Sequence, residues 1–216
     1  MQSDQEFGVI ILDDASSFGL QQCLYEETAW LGSRLTLVRH HLPQGRMRNS
    51  VLAIRDLCGD PDACIVDVDL DDALADPEAI RGVRRLKKQG YDVMLAAPFR
   101  PDVLTRFYTP DFQAPRPRFG GDVWSHLRAF EKRLFDQLPD DALQLDGEWL
   151  RQCDDYAIMI PVAELTRSPV YVPEYWYWHE RSTGHDSREK ASRDVTIMRL
   201  LAKPSLIQLD KQTALE

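Results

Sequence analysis

The chain has 216 residues, with 35 acidic against 26 basic side chains, a net charge of -9 and a pI near 5.1. That balance excludes a surface built to hold nucleic acid or an anionic membrane, and a phosphorylated ligand would need a cation to invert the local field. No run approaches the roughly 18 apolar residues of a membrane helix, and MQSDQEFG lacks the basic and apolar regions of a signal peptide, so the expected location is cytoplasmic.

In chain order, FGVIIL (7–12) is a short, continuously apolar run that suits a strand covered on both faces, and it ends at Asp13 and Asp14. Ser16 or Ser17 can cap a helix with Leu20, Leu24 and Leu31 inward, stopped by Gly32; LTLV (35–38) is a second strand. A helix is expected from about Arg46 to Cys58, with Val51, Ile54 and Cys58 on one face. Asp76 as cap and Pro77 at the first helical position open the next helix, which turns Ile80, Val83 and Leu86 inward. YDVMLAAP (91–98) is another strand.

The stretch 99–121, with Pro101, Pro110, Pro115, Pro117, Arg116 and Arg118, has no sustained period and suits either a substrate-facing flap or a plain crossover. Residues 122–138 give an amphipathic helical pattern through Val123, Trp124, Leu127, Phe130, Leu134 and Leu138. Two helical pieces, 146–153 and 154–165, are expected next, the second kinked or cut short by Pro161. In 170–180 alternation sets Tyr175 and Tyr177 on one face of a strand and Trp176 and Trp178 on the other; a last helix covers about 188–201. Cys23, Cys58, Cys64 and Cys153 lack the spacing of zinc ligands and read as free thiols.

Strands alternating with helices predict an α/β fold: a mostly parallel, mixed twisted sheet with helices on both faces, in a single domain with loose ends at about 1–6 and 205–216. Ligands of such sheets bind beyond the carboxyl ends of the strands, where Asp13, Asp14 and the cluster Asp67, Asp69, Asp71 and Asp72 fall. Four carboxylates in six residues repel one another unless a hard divalent cation neutralises them, so CIVDVDLDDAL (64–74) reads as a metal site for a phosphorylated substrate.

The order of DDASS (13–17), GRMRN (45–49), VDLDDAL (68–74), GGDVWSHLRAFEKRLF (120–135), DDYAIMIPVAEL (154–165) and YWYWHERSTGHDS (175–187) resembles a family 2-type glycosyltransferase of the GT-A fold. The resemblance covers about 7–204. It implies transfer of a sugar from a nucleotide-diphosphate donor, a UDP- or GDP-sugar, to a hydroxyl acceptor, with Mg²⁺ or Mn²⁺ bound and inversion at the anomeric carbon. It also implies that Asp13, with Asp14, contacts the nucleotide, helped by Arg48 or Asn49. Asp69 and Asp71 would be its metal-binding DXD pair, Asp155 the general base with Asp154 its competitor, and His179 or His185 a further metal or phosphate contact.

Two features pull away from that pattern. The family places a strand and helix ahead of the DD strand, and here only MQSDQE precedes FGVIIL, which implies a truncated chain, a homo-oligomer or partner chain completing the sheet, or a non-catalytic binding subunit. VDLDDAL also resembles the nucleophile loop of haloacid-dehalogenase-like phosphatases, in which Asp69 would attack phosphorus and Asp71 act as acid and base, although Ala73 stands where that loop has Thr.

Overall fold

The computed structural model describes residues 1–101, 110–113, 124, 126–180 and 187–207, with the backbone alone for 187–190. The stretch expected to form a flap, including Arg116 and Arg118, falls largely outside the described residues, as do His185 and 208–216. The chain opens with β1 (Val9–Asp13), α1 (Phe18–Thr28) running into a 3₁₀ turn, β2 (Leu35–Arg39), and α2 (Arg46–Val51) continued by a π-helical turn, Leu52–Leu57. Then come β3 (Cys64–Asp67), β4 (Ala73–Leu74), α3 (Ala79–Lys88), β5 (Val93–Phe99), β6 (Arg128–Glu131) and α4 (Lys132–Asp136). A small hairpin of β7 (Gln144–Leu145) and β8 (Glu148–Trp149) precedes α5 (Asp154–Leu165), β9 (Pro169–Trp178) and α6 (Ser187–Leu201).

The main sheet has the order β3-β6-β5-β9-β4, with β5 parallel to β9 and the other pairings antiparallel; β1 and β2 form a separate parallel pair. Among the described residues, no strand pairs with the second edge of β1 or of β3. Strand β5 is buried on both faces, as its unbroken apolar run requires. Val93 and Leu95 face a core built with Phe130, Leu134, Phe135, Tyr156 and Ile160, while Met94 and Ala96 face a second core with Val83, Leu86, Val172 and Trp176. This double layer fixes the sheet, and with it the positions of the strand ends.

Several expectations are corrected. Residues 128–131, read as part of one long helix, form β6, because Arg128, Ala129 and Phe130 pair with both β3 and β5; long-range pairing overrides a short apolar pattern that fits either period. Among the described residues of that stretch, 132–136 are helical. Residues 146–153 are not a helix: Asp146 (φ 54°) and Gly147 (φ 79°) form the two-residue turn between β7 and β8, an Asp-Gly hairpin. Pro161 lies within α5 without ending it. Leu20, expected inward, is 64% exposed, and α1 buries no side chain. Register shifts in the β5–β9 pairing break the expected alternation of β9, so Trp176 and Tyr177 are both buried while Tyr175 and Trp178 are exposed.

The N-terminal residues, expected loose, are tied to α3. Gln2 donates to Asp76 O (2.8 Å) and accepts from Ile80 N (3.1 Å), and Arg84 pairs with Asp4 and Glu6. Glycine at position 82 is demanded by packing: a Cβ there would lie 2.5 Å from the buried Trp176 ring. Gly→Ala inside a helix ordinarily gains up to about 1 kcal/mol, whereas overpacking costs about 1–3 kcal/mol. Gly82→Ala should therefore lower stability, measured by urea denaturation, and a gain would refute this packing.

Candidate active site

The site starts from the end of β1. Asp13 and Asp14 are neighbours in sequence and diverge in space. Asp13 is buried, accepts from Ser16 N (2.9 Å), and lies near Arg39 (4.0 Å), with Phe18, Gln21, Tyr25 and Leu37 around a cavity of about 210 Å³ beneath α1. Asp14 turns the other way and accepts from Gln44 N (2.7 Å) and Gly45 N (3.0 Å). Burial pushes the Asp14 carboxyl up, but the donors on Gln44, Asn49 and Gly45 outweigh it and hold it below the usual carboxylate range. Gly45, at φ 88°, adopts a backbone that favours glycine and delivers the chain into α2.

The first residue of α2 is Arg46, and its guanidinium gathers the acidic residues. It meets Asp69 at 2.5 Å and Asp154 at 2.7 Å, with Asp67 at 3.8 Å. These carboxylates belong to the end of β3, the loop beyond it and the first position of α5, so one side chain reports that three distant stretches share a cleft. Beneath it, Arg128 is 3% exposed and donates to Asp67 at 2.5 Å. His126 lies 3.3 Å from the same oxygen and stacks on Tyr177, with ring centroids 4.7 Å apart. Burial opposes ionisation of Asp67, but Arg128, His126 and Arg46 together hold its carboxyl far below the usual range. Asp154 behaves oppositely: burial raises its pKa, and Arg46 and Arg128 offset only part of that rise.

The acidic loop is fastened from the far side by β9. The Tyr177 hydroxyl donates to Asp72 (2.7 Å) and accepts from Asp69 N (3.1 Å), while Glu180 N donates to Asp72 (2.7 Å). Asp72 is thus committed to holding the loop. Donor atoms of Asp67, Asp69 and His126, and those of Asp69, Asp71 and Asp72, form two groups whose members lie within 4.8 Å of one another, and Asp69 belongs to both. Oxygen-rich sets of this kind suit Mg²⁺ or Mn²⁺.

The remaining expected residues are placed as follows. Asp71 is exposed beside Asp69. Asp155 pairs with Arg193 of α6 at 3.3 Å rather than with Arg46. Asn49 is buried next to Asp14, whereas Arg48 is exposed. The backbone N–H of His179 donates to Phe99 O (2.9 Å), one residue from the Glu180–Asp72 contact; its ring belongs to neither donor group. Phe99, Tyr175 and Trp178 form an exposed aromatic ledge, with ring centroids 5.8 and 5.1 Å apart. Sequence reading missed Arg46, Arg128 and His126. Arg46 had a signal in its place within GRMRN (45–49); the other two depend on the β3–β6 register, in which Asp67 faces Arg128.

No protein-family model matches the sequence, and no curated protein matches it. Solved structures do share its architecture. S. aureus TarS 1-349 superposes with a TM-score of 0.68 at 15% identity, over 93% of this chain and 57% of that one; its complex with UDP-GlcNAc gives 0.68 and 15%, over 93% and 58%. The mannosyltransferase PcManGT from Pyrobaculum calidifontis, in complex with GDP-Man and Mn²⁺, gives 0.59 and 16%, over 92% and 56%. The chain has the fold of the GT-A glycosyltransferases and spans a little over half the length of these proteins. Among the described residues β3 is an edge strand paired antiparallel to β6, and the fold shared with these structures is the one the glycosyltransferase resemblance implied, not that of the haloacid-dehalogenase-like alternative.

The low pKa of Asp67 has a signed consequence. A carboxyl depressed on folding contributes stability that is present above its unfolded value, about 3.9, and is lost as pH falls below that value toward the folded one. Asp67→Asn should therefore lower Tm at pH 7 and flatten the decline of Tm between about pH 5 and pH 2. Parallel acid limbs in wild type and variant would refute this role.

Proposed function

We propose that residues 1–216 act as one metal-dependent, inverting glycosyltransferase domain, which moves a sugar from a nucleotide-diphosphate donor to a hydroxyl acceptor. The observation that carries this reading is the meeting of Asp69 and Asp154 on the Arg46 guanidinium, directly after Gly45, whose N–H binds Asp14. The fold supports it, since neighbours of that fold hold UDP, UDP-GlcNAc or GDP-Man, the last with Mn²⁺. The free cysteines suit the cytoplasmic location expected from sequence.

The donor set fits a divalent ion: Asp69 and Asp71 would hold it, because Asp72 is engaged by Tyr177 and Glu180, and Asp67 by Arg128. When bound, such an ion supplies Lewis-acid stabilisation of charge on the departing diphosphate. The rest of the chemistry belongs to the chain. Asp13 and Asp14 lie where β1 ends, with Asn49 adjoining, and are assigned to the nucleoside with Arg48; His179 is assigned to the phosphate side.

The attacking hydroxyl must lose a proton as it bonds to the anomeric carbon, and a carboxylate takes it. Asp155 is assigned that role, as the resemblance of DDYAIMIPVAEL implies, with Asp154 its competitor; in the structure Asp155 lies 3.3 Å from Arg193. The exposed ledge of Phe99, Tyr175 and Trp178 adjoins the acidic loop on the side where an acceptor sugar could stack.

Thermal shift with UDP, GDP, UDP-GlcNAc and GDP-Man, each with and without Mn²⁺, tests the reading. A metal-dependent rise in Tm with at least one of them is expected, and Asp71→Asn should abolish it. Absence of any such rise would instead support a non-catalytic binding subunit. Asp155→Asn should keep donor binding and lose roughly 10²–10⁴-fold in transfer rate; full activity in that variant, with loss in Asp154→Asn, would move the base role to Asp154.

A further inference from the structure

Arg46 and Arg128, which both reach Asp67, differ in kind. Arg128 is buried in the sheet, with Nη2 on Asp67 and Nη1 near Trp124 O (3.3 Å). The Arg46 side chain is 42% exposed, extends from the start of α2, and reaches Asp69 and Asp154 from the solvent side of the cleft. A flexible stem of this length can withdraw its charge into water without disturbing the backbone. Its removal would leave Asp67, Asp69 and Asp154 facing one another with Arg128 and His126 behind Asp67, an arrangement that favours replacement by another cation.

Asp69 is the point of conflict. The oxygen that meets Arg46 at 2.5 Å belongs to the carboxylate shared by both groups of potential metal donors. A guanidinium and a divalent ion on one carboxylate repel each other strongly at such separations. We infer that Arg46 is a displaceable counter-cation, which neutralises the cleft when no metal is bound and must swing away from Asp69 before a divalent ion can enter. The inference rests on the reading of Asp69 as a metal ligand. Its consequence is that the ion alone binds weakly, while an anionic donor that can receive the released guanidinium promotes metal entry.

The test needs no sugar transfer. Mn²⁺ alone is titrated into wild type, Arg46→Gln and Arg46→Lys, with bound ion followed by electron paramagnetic resonance and folding by circular dichroism. Arg46→Gln should bind Mn²⁺ at least about tenfold more tightly than wild type, and Arg46→Lys, which keeps the charge, should stay close to wild type. The Tm gain on adding Mn²⁺ should likewise be larger in Arg46→Gln. Measurable but equal Mn²⁺ affinity in wild type and Arg46→Gln would overturn the displacement while leaving the metal site standing. Failure of every form to bind Mn²⁺ would overturn both.

Discussion

Like charges brought together by a fold must be answered by an opposite charge within the same few ångströms, and here one arginine does most of that work. The Arg46 guanidinium spans the loop after β3 and the start of α5, so the cleft is closed by a Coulombic contact between segments more than 80 residues apart. In a partly solvated cleft such a contact contributes modestly to stability. Removing one partner is the costlier event, because the remaining carboxylates lose their counter-charge. The arrangement is therefore best understood as specifying geometry: it sets where the acidic oxygens stand relative to the turn held by Asp14.

The apolar layers make that geometry possible. Because β5 is covered on both faces, the strand ends emerge from a packed core and carry their charged residues to one rim. A second fastening operates at the opposite end of β5. Buried Asp92 accepts from Thr166 and from the N–H groups of Arg167 (3.0 Å) and Ser168 (3.1 Å), and pairs with Arg133 (3.2 Å). One carboxylate thus joins the turn between α5 and β9 to the start of β5, which fixes the direction in which α5 presents Asp154 and Asp155.

Much of the first half of the fold was legible, since β1, β2, β3, α3 and β5 follow from local apolar patterns, although α3 begins at Ala79, two residues beyond the expected Pro77. The acidic cluster was legible for the same reason, being contiguous. What escaped depended on pairing between distant residues. The strand at Arg128–Glu131 reads as helix from its apolar spacing, and only its place between β3 and β5 settles its conformation. With that strand misread, neither Arg128 nor His126 could be brought to Asp67. The hairpin at Asp146-Gly147 was different, because the Asp-Gly pair is a local signal that a helical reading passed over. The divergence of Asp13 from Asp14, and of Asp154 from Asp155, is invisible to sequence because adjacent residues share every local property except the direction in which they point.

Tyr177 gives the acidic loop a dependence that its compactness hides. The hydroxyl donates to Asp72 and accepts from Asp69 N, so the shape of an eleven-residue motif is held by a side chain 105 positions downstream. The motif is therefore no portable cassette. Grafted into another scaffold without a phenol arriving from a neighbouring strand, the same letters would keep their charge and lose their shape.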